Sequence, residues 1–263
     1  MPEVVQLLAR RGAEVDVIYP AEATTELTGL EPEYDLYVLK SRTEVSLSIA
    51  GALDAAGAAI LNPYRIAAAC RDKVVASRLL ATAGVPLPEA YVAGSLDQLA
   101  PLLDGGPLVV KPHRGSQGRG VRVVRSPAEL RDSREGGPIF AQRYYEPRGR
   151  DRKVYRIGDR IFGVKRVWPP RTLEDKLGEA FELDGELAEI ALRLGSALGI
   201  TLYGFDVVLT DDGPKVVDFS PFPGFKGVPD AAALLADYVY EAAARIVNGE
   251  PLLAVGAHDP VPA

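Results

Sequence analysis

The sequence has few of the residues on which disulfide-rich and zinc-binding proteins depend. It contains one cysteine, Cys70, and two histidines in 263 residues. A single cysteine excludes an internal disulfide and favours a reducing compartment. The lack of a Cys/His cluster argues against a zinc site. Cys70 stands beside an alanine-rich stretch, which predicts a place in the core rather than a nucleophile.

Long apolar segments are missing as well. No run approaches the roughly 20 apolar residues that a membrane-spanning helix needs, and nothing resembles a secretory signal peptide. Hydrophobic residues nevertheless make up 47% of the chain. That is enough for a sizeable core, in one large domain or in two or three lobes. We therefore expect a cytoplasmic protein that does not bind membranes.

Charge is distributed unevenly along the chain. The net charge is −6, yet residues 111–171 hold seventeen lysines and arginines against six acids, a local charge of +11. A basic block in an acidic protein predicts a focused site for anions. The block lacks the aromatic-interleaved pattern of nucleic-acid-binding segments, so we expect small-molecule phosphates and no nucleic acid. A solvated basic face is the alternative.

The N-terminal part alternates helix and strand patterns. We predict helices over 3–11 and 46–57 and strands over 13–19, 34–40 and 59–61. This alternation indicates a small parallel α/β lobe. Because a helix precedes the first strand, either the gene start is placed late or the sheet lacks its first strand.

The rest of the chain mixes hairpins with amphipathic helices. We predict strands over 108–111, 121–124 and 138–145, a hairpin over 153–168, and helices over 66–83, 183–198 and 230–247. The last dozen residues, rich in proline and alanine, are typical of a loose tail.

Two acids occupy positions where a core strand would carry apolar residues. Asp206 lies in Tyr-Gly-Phe-Asp-Val-Val-Leu, and Asp218 lies in Lys-Val-Val-Asp-Phe-Ser. A three-residue Asp-Asp-Gly loop with Gly213 at positive φ predicts a hairpin in which Asp206 faces Asp218. Ser220 then points to the same face as Asp218. Such a set of hard oxygen ligands suits Mg²⁺ bound to substrate phosphates, and ordinary surface acids are the alternative.

A glycine-rich loop follows the strand that ends at Lys111. Gly115, Gly118 and Gly120 allow backbone N–H groups to approach an anion, while Lys111 supplies charge and Ser116 a hydroxyl. The lysine precedes the glycines and no helix follows them, so this is not a Walker loop. A simple turn is the alternative.

These features occur in an order that resembles the ATP-grasp superfamily over roughly residues 30 to 245. The order is Lys73, Lys111, the glycine-rich loop, the Gln-Arg-Tyr-Tyr segment from Gln142, and the acidic hairpin. The resemblance implies an α/β fold of α+β lobes that hold ATP between them. We predict an N-terminal lobe over 1–66, a central lobe over 67–140, a C-terminal lobe over 141–250, and a tail over 251–263.

The resemblance also implies roles for individual residues. The implied ATP-binding residues are Lys73, Lys111, Gly115, Ser116, Gly118, Gly120, Gln142, Tyr144, Tyr145 and Glu146. The hinge, from Gln142 to Tyr145, would meet adenine largely through its backbone, with Glu146 at the ribose. Asp206, Asp218 and Ser220 would hold one or two Mg²⁺ ions. The superfamily usually has Asn at the position of Ser220 and often Glu at that of Asp218, so the number of ions stays open.

The reaction type is less constrained. ATP-grasp enzymes begin with attack of a substrate oxygen on the γ-phosphate: a hydroxyl makes the enzyme a kinase, and a carboxylate gives the acyl phosphate of a ligase. Segments 34–43, 153–158 and 217–227 resemble the ATP-grasp inositol polyphosphate kinases. The Asn-x-x-x-Gly-Gly segment usual in RimK-type ligases is missing after the strand at 160–166, but the glycine-rich loop looks more like that of the ligases.

We therefore expect Mg-ATP-dependent phosphoryl transfer to a hydroxyl of a phosphorylated polyol. The alternative is an ADP-forming carboxylate–amine ligase of the RimK type. A non-catalytic nucleotide-binding module is a remote third possibility.

The kinase resemblance places Lys40 and Gly224 by the substrate and Lys153 between ATP and substrate. Lys165 and Arg166 alternate faces on one strand, and we expect Arg166 in the cleft because a guanidinium can grip an oxyanion bidentately. Lys153 and Arg166 would thus be catalytic. An anionic small-molecule substrate would be bound by Lys40, Arg42, Gly224 and Lys226. Solvated cations are the alternative, and monomer and homodimer both stay open.

Overall fold

A computed structural model describes residues 1–41, 43–115, 120–130, 137–147, 149–167 and 172–253. The predicted site residues Arg42, Ser116 and Gly118 lie outside these ranges. The described strands form three sheets of two, four and five strands. The chain is a mixed α/β protein, as the sequence predicts.

The N-terminal part contains a two-stranded parallel sheet. Its elements are α1 (Pro2–Arg10), β1 (Tyr37–Val38), α2 (Glu44–Ala55), β2 (Ile60–Leu61) and α3 (Tyr64–Arg71). β1 pairs with β2 in the predicted parallel sense. The side chain of Thr43 caps α2 by accepting from the Ser46 N–H.

The predicted strand over 13–19 does not form. The stretch carries no ladder in the structure, and Val17 and Ile18 are 56% and 60% exposed. Only the start of the stretch reaches the core, where Val15 packs near Leu36 and Val38. An alternating apolar pattern becomes a strand only beside a partner strand, and in the described residues β1 pairs only with β2.

The central part is an antiparallel sheet entered through α4 (Lys73–Thr82). Its strands are β3 (Ala90–Ala93), β4 (Leu108–Pro112), β5 (Arg122–Val124) and β6 (Ile139–Arg143), in the order β3-β6-β4-β5. The single helix predicted over 66–83 is in fact two, α3 and α4. Asp72 lies between them with extended backbone angles, and its side chain accepts from the N–H groups of Val74 and Val75. This cap starts a new helix at Lys73.

The C-terminal part is built on five antiparallel strands in the order β11-β10-β7-β8-β9. Its elements are β7 (Asp151–Ile157), β8 (Arg160–Arg166), α5 (Leu173–Leu177), β9 (Glu179–Phe181), α6 (Gly185–Leu198), β10 (Leu202–Thr210), β11 (Gly213–Ser220) and α7 (Ala231–Val247).

The two faces of this large sheet have different environments. One face packs Val154, Tyr203 and Phe205 into a core with α6. The opposite face is apolar at one end, where Tyr155 and Leu202 pack in a core that includes residues of α1 and α7. Because side chains alternate along a strand, Lys153 and Asp206 lie on the same face as Tyr155 and Leu202. That face therefore changes from a packed core to a charged cleft along the same strands.

Within the described ranges, no helix combines the length and the apolar composition that a membrane span requires.

Candidate active site

A cavity of about 690 Å³ lies between the N-terminal part, α4 and the charged end of the large sheet. It brings together residues that are far apart in sequence. The predicted site residues in its lining are Lys40, Lys73, Gly115, Gln142, Lys153, Arg166, Asp206, Asp218, Ser220, Gly224 and Lys226. The structure thus gathers the predicted metal, catalytic and substrate positions around one cavity.

The other predicted positions lie around this cavity or apart from it. Lys111 reaches the lining through its contact with Gln142. Tyr144 and Tyr145 line a separate cavity of about 480 Å³. Glu146 and Gly120 are exposed and are not among the residues that line either cavity.

The acidic hairpin has the predicted pairing of its two acids, but its turn and the ladder next to the turn differ from the prediction. Thr210 pairs with Gly213, so the turn has two residues instead of the predicted three, although Gly213 does have a positive φ of 92°. The register then shifts by one between Asp206 and Val207, which leaves Val217 unpaired in a bulge. The shift restores the predicted pairing of Asp206 with Asp218. A bulge bends its strand and re-aims the groups beside it.

Lys111 is hydrogen-bonded to the carbonyl group of the bulged residue, Val217. Its Nζ donates to Val217 O at 2.9 Å and to Gln142 Oε1 at 2.7 Å, and its side chain is almost fully buried. Burial lowers the pKa of Lys111, and the nearby carboxylates of Asp218 and Asp206 oppose that shift. A desolvated ammonium held by neutral oxygens is well suited to receive a phosphate oxygen.

Asp206 already has two cationic partners. Lys153 stands opposite it on β7 and donates from Nζ at 2.8 and 3.0 Å, and Arg166 Nη2 donates at 2.7 Å. The three side chains are between 13% and 23% exposed, so the cluster is partly desolvated. Lys165 lies on the other face of β8, with its Nζ 5.1 Å from the ring centre of Phe181. The alternation therefore directs Arg166, and not Lys165, into the cleft.

Asp151 is a charged neighbour that the sequence reading missed. It pairs with Arg166 across β7 and β8 and lies two residues before Lys153, on the same face. Burial and the charge of Asp206 raise the pKa of Asp151, while Arg166 and Lys153 lower it. The period of two from Lys153 was the signal that could have identified it.

The glycine-rich loop is tied to the start of α4. Lys73 Nζ donates to Gly115 O at 2.8 Å, and the Lys73 backbone N–H donates to His113 O at 2.9 Å. Next to Gly115, Arg114 Nη1 lies 3.6 Å from Glu44 Oε2 at the start of α2. Lys73 therefore supports the loop and also lines the cavity.

The first backbone N–H groups of the predicted hinge, at the end of β6, donate to carbonyl groups of the protein itself. The Arg143 N–H donates to Glu89 O and the Tyr144 N–H to Pro107 O. No backbone carbonyl of the described residues accepts from the Tyr145 N–H. The Tyr144 ring lies against Arg125 at 5.5 Å, and partial burial and a hydrogen bond with Glu146 raise its pKa. This geometry is compatible with a hinge that offers backbone groups rather than tyrosine rings.

The part of the cavity wall that is predicted to bind the substrate is formed by the segment that leaves β11. Lys40 Nζ donates to Phe222 O at 2.8 Å and to Pro223 O at 2.6 Å. Phe225 has a left-handed backbone conformation with a φ of 50° and is buried. A bulky residue in that conformation is strained, and such strain is typical of functional segments. Gly224 and Lys226 flank it at the cavity wall.

The residues at the hairpin fit a magnesium ion. Among the described residues, no group of three or more Asp, Glu, His or Cys side chains converges to hold an ion. Asp206 and Asp218 nevertheless supply two paired carboxylates, and Ser220 adds a hydroxyl at the same cavity wall. Mg²⁺ typically takes one or two carboxylates and completes its shell with water and substrate phosphates.

The family of the chain follows from comparison with known proteins. Residues 70–239, which include the hairpin, Lys73, Lys111 and Lys153, match the profile of the RimK-like ATP-grasp domain. The chain belongs to this family. It is therefore an ATP-grasp enzyme, and the superfamily resemblance predicted from the sequence is confirmed.

Individual proteins that are similar to this RimK-like enzyme support the same family. It is 25% identical over 253 residues to a probable alpha-L-glutamate ligase from Trichodesmium erythraeum, covering 86% of this chain and 85% of the relative. A RimK domain ATP-grasp protein from Sphaerobacter thermophilus matches with a TM-score of 0.74 at 21% identity, covering 91% and 94% of the two chains. The ATP-grasp ligase PsnB, solved with a minimal precursor, Mg and ADP, matches with a TM-score of 0.68 at 20% identity, covering 92% and 93%.

These comparisons bear on the fold and on the reaction type expected from the sequence. The ATP-grasp fold is confirmed, and the use of ATP with Mg²⁺ stays a prediction. The similarities favour the ligase, which the sequence left as the alternative, and give no support to the inositol-kinase reading.

Proposed function

We propose that this RimK-like enzyme is an ADP-forming ligase that joins a carboxylate to an amine through an acyl phosphate. The observation that carries the proposal is the hairpin pair Asp206 and Asp218, with Lys153 and Arg166 beside it, inside the segment that matches the RimK-like domain. The proposal corrects our first expectation of a polyol kinase.

In the first step, an oxygen of the substrate carboxylate attacks the γ-phosphorus of ATP. The bond from that phosphorus to the bridging oxygen breaks, ADP leaves, and an acyl phosphate remains. Lys111, Lys73 and the loop at Gly115 would hold the phosphates in line, and positioning of this kind is the main source of catalysis in phosphoryl transfer. Mg²⁺ held by Asp206, Asp218 and Ser220 would supply the charge that neutralises the phosphate oxygens.

In the second step, an amine attacks the acyl carbon and inorganic phosphate leaves. Negative charge develops on the acyl oxygen and on the departing phosphate. Arg166 and Lys153 are the cations beside Asp206 in the cavity, and they would stabilise this charge. Overall, ATP, a carboxylate and an ammonium group give ADP, phosphate, an amide and a proton.

The substrates are proposed to be anionic small molecules or peptides. Lys40 and Lys226 line the cavity and would favour negatively charged groups in it. The name of the Trichodesmium erythraeum relative makes L-glutamate the first amine to test. The lobe boundaries after residues 66, 140 and 250, the cytoplasmic location, and the choice between monomer and homodimer stay predictions.

A product analysis tests the reaction type. Purified protein with Mg-ATP is offered a panel of carboxylates with and without amines, and the products are followed by phosphorus NMR. We expect orthophosphate and ADP in equal amounts only when both partners are present. With hydroxylamine as the amine, the acyl phosphate should be trapped as a hydroxamate. A phosphate ester formed from a polyol without orthophosphate would instead establish a kinase.

A further inference from the structure

The open end of the acidic hairpin is bridged by one side chain from the N-terminal part. Asn62 follows β2 and is only 2% exposed. Its Nδ2 donates to Leu202 O at 2.7 Å and also to Pro221 O. Leu202 is the first residue of β10, and Pro221 directly follows β11. One amide group therefore joins both strands of the hairpin at the end opposite the turn.

Lys40 holds the next two residues of the same segment. Its Nζ donates to the carbonyls of Phe222 and Pro223, and it lies 4.5 Å from the centre of the Phe222 ring. Together with the bond from Asn62, three consecutive carbonyls, those of Pro221, Phe222 and Pro223, accept from side chains of the N-terminal part.

The hairpin itself cannot fix this segment. Pro221 and Pro223 have no N–H group, so they cannot donate to a ladder. The β10–β11 pairing ends with Gly204 opposite Ser220. Pro223 then packs closely over Gly204, where an added Cβ would lie 3.0 Å from its Cγ. Ser220 is therefore held by the ladder on one side only, and on the other side its position depends on contacts made by the residues that follow it.

We propose that Asn62 and Lys40 are positioning residues for the metal site. By holding the open end of the hairpin, they set where Ser220 and Asp218 stand relative to Asp206. The inference rests on the metal site of the proposed function, but it does not depend on whether the reaction is that of a ligase. It gives the N-terminal part a role in metal binding in addition to forming the wall of the substrate cavity.

The test measures metal binding directly. Mn²⁺ replaces Mg²⁺ as the probe, ADP is present at saturation, and free Mn²⁺ is counted by electron paramagnetic resonance. Partners that orient metal ligands typically change affinity by 10- to 100-fold, so we expect Asn62→Ala to raise the Mn²⁺ dissociation constant about tenfold. Asn62→Asp keeps the shape but places an acceptor against two carbonyls, and should weaken binding at least as much.

Lys40 is less buried than Asn62, and two variants at this position give a second test. Lys40→Met keeps the apolar stem and removes the donors, so it should weaken Mn²⁺ binding in the same direction. Lys40→Arg keeps donors at this position and should restore most of the affinity. If Asn62→Ala does not fold, as judged by circular dichroism, the Lys40 pair decides the question.

A matched control separates positioning from general loss of stability. Leu53 lies in a separate small core with Ala50 and Ile60. Leu53→Ala should lower the melting temperature and leave the Mn²⁺ affinity unchanged. Equal weakening in Leu53→Ala would overturn the proposal, because the effect would then be nonspecific.

Three further outcomes have distinct meanings. Unchanged Mn²⁺ binding in both Asn62→Asp and Lys40→Met would overturn the positioning role, whatever the product analysis gives. Absence of Mn²⁺ binding in the unaltered protein with ADP would remove the metal site and this inference with it. Failure to form an amide while Mn²⁺ still binds would contradict only the proposed reaction.

Discussion

Asp206 faces Asp218 although the turn that joins their strands would place Val217 in that position. The ladder from Thr210 and Gly213 runs in step as far as Val207 and Val216, and the bulge then advances the partner by one residue. The same bulge leaves the Val217 carbonyl available to Lys111 at 2.9 Å. One irregular residue thus aligns both the paired acids and the buried lysine.

Asp218→Ala should abolish Mg²⁺-dependent turnover and leave the fold intact. Asp218 is exposed, and it makes no ion pair with a described residue, so its removal relieves repulsion from Asp206 rather than breaking a contact. Turnover at saturating Mg²⁺ and the melting temperature are the two measurements. Activity equal to that of the unaltered protein would rule out the metal role of this carboxylate.

Asp206→Asn should instead destabilise the protein. It removes the carboxylate that partners Lys153 and Arg166 and leaves two partly buried cations facing each other. Breaking such a cluster costs on the order of 3 kcal/mol of unfolding free energy, which urea denaturation can measure. Asp218→Asn is the matched control because it breaks no ion pair. Sulfate should recover part of the stability of Asp206→Asn, and a loss no larger than that of the control would contradict the cluster.

Arg166→Ala and Lys165→Ala should differ strongly in their effect on turnover. Arg166 lies in the cavity, whereas Lys165 lies over Phe181 on the other face of the sheet. Removing one group that stabilises developing negative charge typically costs about a hundredfold or more in turnover. We expect that loss for Arg166→Ala and almost none for Lys165→Ala in steady-state assays. Comparable losses in the two variants would mean that alternation along β8 does not decide which cation acts.

The thiol of Cys70 should be inert in the folded protein. Burial raises its pKa from 9.0 to about 12, because the thiolate is poorly stabilised away from water. The sign of this shift means that the thiol stays protonated as pH rises through the range in which an ordinary cysteine ionises. Ellman's reagent at mildly alkaline pH should therefore react slowly with the native protein and quickly after unfolding in urea. Cys70 is half-buried in the wall of the cavity, and rapid reaction in the native state would contradict the raised pKa of its thiol.

Features set by local spacing could be predicted from the sequence. Side-chain alternation predicts that only one of Lys165 and Arg166 enters the cleft, and the guanidinium chemistry favours Arg166. The alternation of helix and strand patterns in the N-terminal part predicts the parallel pair β1 and β2. The facing of Asp206 and Asp218 also follows from local pattern, although the predicted three-residue loop is in fact a two-residue turn followed by a bulge. Both arrangements give the same pairing.

Features that depend on distant partners could not be predicted in this way. In the sequence, Asn62 looks like the end of a strand. Its hydrogen bonds join it to Leu202 and Pro221, which lie 140 and 159 positions further along the chain. The stretch at 13–19 has a strand-like pattern, but it remains without a ladder because pairing requires a neighbouring strand. Asp72 was read as part of a continuous helix, whereas its side chain caps a new one. The choice between kinase and ligase depends on the second substrate, about which the ATP-binding residues carry little information.

The three carbonyls of Pro221, Phe222 and Pro223 have a consequence for protein engineering. A chimera that grafts residues 1–66 of a relative onto this catalytic segment must also bring an amide at position 62 and a donor at position 40. Without them, the graft leaves three carbonyl acceptors facing a foreign surface, and by the proposed positioning role the hairpin shifts even though every residue within residues 70–239 is preserved. Compatibility of exchanged parts is therefore decided at two positions that a comparison confined to those residues would overlook.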